Sequence, residues 1–143
     1  MPNVNQILNA KGNQVWSVEP DSKVFDALEL MAEKDVGALL VINEGNVVGI
    51  MSERDYARKV ILKGKSAKDI PVSEIMTTKV FCLSPNETFE ECMALMTDKH
   101  IRHLPVLQDE ELIGIISIGD VVNAIISEKQ FVISQLANYI KGY

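Results

Sequence analysis

Gly49-Ile-Met-Ser52-Glu-Arg54-Asp55 and Gly114-Ile-Ile-Ser117-Ile-Gly119-Asp120 share one pattern, Gly-x-x-Ser-x-x-Asp, 65 residues apart. Outward from the pair the register holds. Val15-Trp-Ser-Val-Glu-Pro20 falls on Val80-Phe-Cys-Leu-Ser-Pro85, Leu30-Met31 on Leu95-Met96, Lys34 on Lys99, and Leu39 and Val41 on Leu104 and Val106. Between Val15–Val60 and Val80–Ile125 no gap is needed, and 11 of 46 pairs are identical. Matched apolar positions alone would signify two amphipathic patterns. Matched Pro, Gly, Ser and Asp over an ungapped stretch signify a duplication. Further upstream Val4–Lys11 matches Val72–Lys79 at an offset of 68, so the first copy carries three extra residues, Gly12-Asn13-Gln14.

Both copies read alike. A short apolar run (Val15–Val18; Val80–Leu83) predicts a strand, and Asp21-Ser22 or Asn86-Glu87 predicts a helix start. Val24, Ala27, Leu28, Met31 and Ala32 recur at helical spacing, as do Phe89, Cys92, Met93 and Met96, so each copy has a helix with one buried face. Leu39–Ile42 and Val47–Met51 predict a β-hairpin turning at Gly45, matched by Leu104–Leu107 and Leu112–Ile116. A second helix follows, Glu53–Leu62 and Ile118–Ser127. About 60 residues of β-α-β-β-α cannot bury such a sheet alone. The expected fold is therefore α+β: two β-α-β-β-α repeats packed sheet to sheet with pseudo-two-fold symmetry. The repeats are expected at residues 1–66 and 67–143, the second with a C-terminal helix, and Lys63–Pro71 as the polar connector. The tail from Phe131 has Val132, Leu136, Tyr139 and Ile140 at helical spacing and should pack on a neighbouring helix or a second chain, which predicts a homodimer.

Composition narrows the function. The 143 residues are 47% apolar and 24% charged, ordinary values for one globular domain. The net charge of −6 argues against a nucleic-acid coat or a polybasic membrane binder. It leaves room for a small anionic ligand, which needs only a few local cations. No apolar run approaches the roughly 20 residues of a membrane span. Met1–Ala10 shows no basic start followed by an apolar stretch, so a cytoplasmic location is expected. Cys82 and Cys92 make no disulfide framework, sit at apolar positions, and are expected to be buried and inert.

The Ser-x-x-Asp segments have two compatible readings. The first is a capping box at a helix start. The second adds a ligand. A helix N-terminus offers free N–H groups and partial positive charge to phosphate, and a carboxylate has two acceptor oxygens for a ribose cis-diol. Gly49 and Gly114 would let backbone approach a planar base. Two copies give two such sites.

These paired segments, with Ile75-Met76-Thr77 and His100-Ile-Arg-His-Leu-Pro-Val106, resemble a tandem pair of cystathionine-β-synthase (CBS) domains, a Bateman module, over nearly the whole chain. The resemblance implies a regulatory, non-catalytic module that binds adenosine nucleotides between its repeats: AMP, ADP, ATP, NAD(H) or S-adenosylmethionine, with no metal required. It also implies frequent dimers and a regulated protein whose identity the residues do not name. By motif match Asp55 and Asp120 would each hold a ribose, and Ser52 and Ser117 would lie beside phosphate. Arg102 and His103 would offer cations at the Asp120 site, where the first copy has Gly37 and Ala38. Arg54 stands where the second copy has Gly119. Val36, Gly37, Ile101, Thr77 and Lys79 would line the adenine pockets. The two sites should therefore differ, with the Asp120 site the stronger for phosphorylated ligands.

Rival signals are thinner. His100-x-x-His103 has no third ligand at metal spacing. No nucleophile elbow, Walker loop or Gly-x-Gly-x-x-Gly occurs, which weighs against a small nucleotide-processing enzyme. The basic cluster Arg54, Arg58, Lys59, Lys63, Lys65 and Lys68 suggests a nucleic-acid-binding regulator, but Tyr56 is the one aromatic interleaved with it. Arg58, Lys59 and Lys63 read more simply as a solvated helix face.

Overall fold

Both hairpins turn on two residues with positive φ, the geometry that matches the twist of paired strands. In the first, Glu44 (φ 51°) and Gly45 (φ 82°) join β2 (Ala38–Asn43) to β3 (Asn46–Ser52). In the second, Asp109 and Glu110 do so without a glycine, between β4 (His103–Gln108) and β5 (Glu111–Ser117). The register repeats too: Leu40 pairs with Ile50 and Pro105 with Ile115, and each hairpin has a bulge at the equivalent place, Val41/Ile42 and Val106/Leu107. The structure, a computed structural model, describes residues 2–141.

The expected first strands fare unequally. β1 (Ser17–Val18) pairs parallel with β2, completing a three-stranded sheet in the order β1-β2-β3. In the second repeat the strand expected at Val80–Leu83 shrinks to a single parallel bridge, Leu83 to Val106, and the sheet has two strands. The fold is α+β, with two small sheets and five α-helices among the described residues.

The first helix of each repeat, α2 (Val24–Lys34) and α4 (Phe89–Lys99), starts two residues later than Asp21-Ser22 and Asn86-Glu87 imply. Thr88 caps α4 through a capping box with Glu91. Lys23 gives α2 no side-chain cap. The α2 amides of Val24 and Phe25 donate instead to the carbonyls of Ile70 and Ala67, both 3.0 Å, so the connector caps the helix with backbone. Both helices end on a left-handed residue that is not glycine, Asp35 (φ 54°) and His100 (φ 55°). The amides of the next residues, Val36 and Ile101, close back on Met31 and Met96.

The second helices diverge. After β3, α3 (Glu53–Tyr56) passes into a wider π turn over Ala57–Ile61. After β5, α5 (Ile118–Lys141) runs unbroken for 24 residues, joining the expected Ile118–Ser127 helix to the tail. From Phe131 onward its described residues are exposed rather than packed on a neighbouring helix. Gly142 and Tyr143 lie outside the described residues. Cys92 is buried on the α4 stripe, as expected, but Cys82 is exposed because its strand does not form.

The described chain divides into two compact units, residues 15–81 and residues 2–14 with 82–141. Each segment ahead of a repeat thus packs with the other repeat. The amides of Val72 and Ser73 donate to the carbonyls of Ser22 and Pro20 (2.7 and 2.9 Å). Their equivalents Val4 and Asn5, at the start of α1 (Val4–Lys11), donate to Glu87 and Pro85 (2.9 and 3.0 Å). In residues 15–81 the core gathers Val24, Ala27, Met31, Leu39, Val41, Met51 and Val60, closed by Val72 and Ile75. In the other unit Val4, Ile7 and Leu8 of α1 are buried, as are Phe89, Cys92, Met96, Leu104, Val106, Ile116 and Val121. Leu8 and Met76, equivalent by sequence, meet equivalent glycines.

Candidate functional site

Both Ser-x-x-Asp segments are capping boxes. Ser52 accepts from the Asp55 amide (3.2 Å), and Asp55 Oδ2 accepts from the Ser52 amide (3.0 Å). Ser117 and Asp120 repeat this at 3.1 and 2.8 Å. The strand delivers the serine in extended conformation, and the helix begins at the next residue.

Around the first aspartate every acceptor is engaged. Asp55 is 9% exposed. Its Oδ2 also accepts from the Ser52 hydroxyl (3.1 Å). Its Oδ1 accepts from Thr77 Oγ1 at 3.2 Å and pairs with Lys59 Nζ at 2.9 Å. Lys59, one turn along the helix, donates as well to the carbonyl of Ile75 (2.9 Å). Thr77 is held by its own amide and carbonyl, both bonded to Ile50 on the edge of β3.

The second aspartate sits differently. Lys11 Nζ reaches Asp120 Oδ2 at 2.7 Å and donates to the carbonyl of Ile115 at 2.8 Å. The Ser117 amide bonds the same Oδ2, and Oδ1 takes part in neither bond. The Asp120 side chain is 24% exposed. Burial alone would raise its pKa, but the Lys11 and Ser117 hydrogen bonds and the Lys11 charge outweigh burial and hold it below the ordinary value. His103 lies within the same field. Burial first, then the charge of Lys11, lower its pKa, with Asp120 opposing and Arg102 adding to the fall.

The structure thus brings Ser52, Asp55 and Thr77 together in one unit, and Ser117, Asp120, His103 and Arg102 in the other. Lys79 stays exposed, its ammonium 5.6 Å from the Phe81 ring centre, and its counterpart Lys11 is the one that meets an aspartate. Arg54 is half-buried next to Asp55, and Gly119 is exposed in the first turn of α5. Val36 packs against the core of its unit. Gly37 and Arg102 offer their carbonyls to the amides of Glu53 and Ile118 (3.1 and 2.8 Å), tying each hairpin to the following helix. Ile101 is half-buried in the turn after α4.

Beside the approach to a base expected of them, Gly49 and Gly114 have a packing role in the structure. A Cβ on Gly49 would lie 2.7 Å from Met76 Sδ, and one on Gly114 would lie 2.6 Å from Leu8 Cδ2. These glycines make room for the lead segments. Lys11 and Lys59, neither of them among the expected site residues, are the cations that meet the aspartates. The Asp55-to-Lys59 spacing of four was the available signal for one, whereas Lys11 lies 109 residues from Asp120 and gave none.

Both thiols are held above the ordinary thiol range. Burial, reinforced by Glu87 and Glu91, pushes Cys92 up to about 11, and partial desolvation of its sulfur raises Cys82 although the residue as a whole is exposed. Among the described residues no group of three or more His, Cys, Asp or Glu is placed to hold a metal. No helix among them is long and apolar enough to cross a membrane.

Comparison with known proteins agrees with the duplication. The family model described as CBS domain matches twice, over residues 11–62 and 72–127. The mitochondrial CBS domain-containing protein CBSX3 of Arabidopsis thaliana is 41% identical over 139 residues, covering 94% of this chain and 67% of its own length. A solved protein with CBS domains from Burkholderia ambifaria is 50% identical with a TM-score of 0.86, covering 87% of this chain and 94% of that one. The CBS domain pair of protein MJ0100, solved in complex with 5′-methylthioadenosine and S-adenosyl-L-methionine, shares the fold with a TM-score of 0.79 at 22% identity, covering 90% of this chain and 98% of that one. With the paired capping boxes and the repeated hairpins already in register, the chain belongs to the CBS domain family of regulatory modules and carries that domain twice.

Proposed function

We propose that this chain is a non-catalytic sensor that binds an adenosine-containing ligand, of the class of AMP, ADP, ATP, NAD(H) or S-adenosylmethionine, at Asp120. The observation that carries this reading is the inequality of the two aspartates. Asp55 is buried and spends both oxygens on Ser52, Thr77 and Lys59. Asp120 is more exposed, and its two bonds converge on Oδ2. A ribose cis-diol needs a carboxylate with acceptor capacity to spare, and Asp120 has it. Ser117 closes the cap beside it, and Arg102 and His103 supply positive or hydrogen-bonding groups toward phosphate. Ser52, Arg54, Asp55, Thr77 and Lys79 then form the weaker counterpart. Adenosine ligands on the same fold in MJ0100 are consistent with the ligand class.

We also propose that the chain acts as a homodimer joined through α5, with any regulated protein outside that contact. Val122, Ile126, Ile133, Leu136 and Ile140 fall at spacings of a 3.5-residue repeat with Lys129 in the same row, and all five apolar members are exposed. The residues flanking that row are uncharged (Asn123, Gln130 and Ala137 on one side; Ile125, Val132 and Tyr139 on the other), which suits a second copy of the same helix.

The test of the ligand reading is calorimetry with AMP and 2′-deoxy-AMP on the wild type, Asp55→Ala and Asp120→Ala. Binding of AMP, weak binding of the deoxy compound, and loss on Asp120→Ala alone are expected. Equal binding of the two compounds, or retention of AMP by Asp120→Ala, overturns it.

A further inference from the structure

The end of the first repeat's second helix carries a dense local charge. From Ala57 to Lys68 the sequence has five cations and no acid, in a chain whose net charge is −6. Lys59 is committed to Asp55 and to the Ile75 carbonyl. The other four are exposed. Lys65 reaches Glu74 only at 3.9 Å, with both side chains 46% exposed, and such a pair contributes little. Arg58 and Lys63 enter no ion pair among the described residues. Lys68 lies over the Phe25 ring, 4.8 Å from its centre.

The same turn exposes aliphatic side chains. Ile61 is 55% and Leu62 76% exposed, and Phe25 is 37% exposed. Backbone bonds hold them there. The amides of Leu62, Lys63 and Gly64 close back on the carbonyls of Ala57, Val60 and Ile61, and Gly64 takes a φ of 69°. The Lys65 amide then returns to the Val60 carbonyl, and the Phe25 amide meets the Ala67 carbonyl, both at 3.0 Å. Helix end, turn and connector thus form one corner in which apolar and cationic side chains lie side by side. The second repeat lacks it. Arg58, Leu62, Lys63 and Lys65 correspond to Asn123, Ser127, Glu128 and Gln130, and the helix there runs on into the rest of α5. The duplicated fold therefore needs neither the cations nor the leucine. In the free chain the like charges repel, and an exposed leucine forgoes its burial. Both gain against an opposite surface.

We propose that this corner docks on an anionic lipid bilayer. Leu62 and Ile61 enter the boundary between headgroups and acyl chains, and Arg58, Lys63, Lys65 and Lys68 meet the anionic headgroups. Lysine stems cover apolar surface while their ammonium ends stay at the phosphates. Two other polyanions fit less well. A nucleic acid would use the cations but gives the aliphatics no place, and its stacking contacts call for aromatics, of which Tyr56 is the one in this stretch. An acidic protein segment calls for a groove, whereas a side chain as exposed as Leu62 stands on a convex turn. The net charge argues against a chain that is basic throughout, not against one basic corner, because charges beyond about 8 Å are screened at physiological ionic strength. This reading does not depend on the ligand proposed for Asp120.

The test is co-sedimentation of the full chain with vesicles of phosphatidylcholine alone and of phosphatidylcholine with phosphatidylserine at about 3:1, in about 0.15 M salt. Each cation contributes about fivefold to binding at an anionic surface, so four should favour the mixed vesicles by several hundredfold. Leu62→Ser, Lys63→Glu and Arg58→Asn place the second repeat's own residues at exposed positions, and each is first checked for a wild-type melting temperature. Each should weaken binding to the mixed vesicles at least fivefold. Equal binding to both vesicles, or binding to neither, overturns the proposal, whether or not an acidic protein takes the corner instead. Binding that all three variants leave unchanged overturns it by placing the contact elsewhere. Loss with Lys63→Glu and Arg58→Asn but not with Leu62→Ser also overturns it, because a purely ionic patch would hold nucleic acid or acidic protein equally.

Discussion

Replacing Asp55 with alanine should damage the fold far more than replacing Asp120, although the two residues are equivalent by sequence. Each substitution removes the acid's half of a capping box and leaves the serine cap in place, which costs up to about 1 kcal/mol. At Asp55 it also strips partners from Thr77 Oγ1 and the Ser52 hydroxyl in a part-buried setting, and an unsatisfied buried group costs about 1–3 kcal/mol. The Lys59 pair adds little, because its ammonium end rehydrates: the Lys59 side chain is 43% exposed. The sum is about 1–4 kcal/mol. At Asp120 the ion pair with Lys11 is 34% and 24% exposed and contributes about 0–1 kcal/mol beyond the cap, giving about 0–2 kcal/mol. For a chain of this length a kcal/mol shifts Tm by roughly 3–4 °C. Asp55→Ala should therefore melt about 3–16 °C below the wild type and Asp120→Ala about 0–8 °C below. Far-UV circular dichroism during heating, with urea titration alongside, measures both without ligand. Equal losses, or a larger loss at Asp120, would show that Asp55 is not the more satisfied carboxylate.

Stability should fall on acidification in two steps. His103, whose pKa is lowered from 6.5 on folding, contributes stability that is present above pH 6.5 and lost as pH falls from there toward its folded value; Asp120, lowered from 3.8, contributes stability lost only as pH drops below 3.8. His103→Gln should flatten the first step and leave the second, and an unchanged upper step in urea midpoints against pH would exclude His103. Gly114→Ala should cost about 1–3 kcal/mol by driving a Cβ against Leu8. Adding Leu8→Ala should cost less in that background than alone, and strict additivity in the double-mutant cycle would contradict the contact. Ile133→Asp should convert a dimer into a 15.9 kDa monomer in sedimentation at micromolar concentration without lowering far-UV ellipticity. A wild type that sediments as a monomer would refute the dimer itself.

The duplication, the hairpins, the helix stripes and the capping boxes were legible because each depends on residues close in sequence. Gly49 and Gly114 show where that limit falls. Their identity was visible, but the reason for it, Met76 and Leu8 arriving from segments 27 and 106 residues away, was not. The same holds for the caps: α2 starts on carbonyls of Ala67 and Ile70, which leave no side-chain signature. Asp35, His100 and Glu110 adopt left-handed conformations without glycine, so composition gave no cue to where α2 and α4 end, and the second turn was legible from the repeat rather than from a glycine. The expected strand at Val80–Leu83 had the right residue types. What it lacked was an extended pairing with β4, to which only Leu83 bonds.

The exchange of lead segments explains how two nearly identical motifs came to hold different environments. Each aspartate is completed by the segment preceding the other repeat: Asp55 by Thr77, and Asp120 by Lys11. The lead segments diverged in conformation, an extended bridge at Thr77 against the last turn of α1 at Lys11, so the boxes diverged with them while their own residues stayed matched. A carboxylate at a helix start must be satisfied whether or not a ligand is present. One repeat meets this demand internally with Lys59 and Thr77. The other leaves Oδ1 outside its internal bonds, so a ligand bound there would stabilise the unit by mass action, with the logarithm of one plus its concentration over its dissociation constant. That stabilisation acts on the first turn of α5, the same unbroken helix whose far half carries the exposed apolar row. A ligand at Asp120 shifts what α5 does only to the extent that its affinity differs between two arrangements of that helix. Measuring AMP affinity in the wild type and in Ile133→Asp gives that difference directly, since reciprocal coupling requires dimerisation to change ligand affinity by the same factor that ligand changes dimerisation.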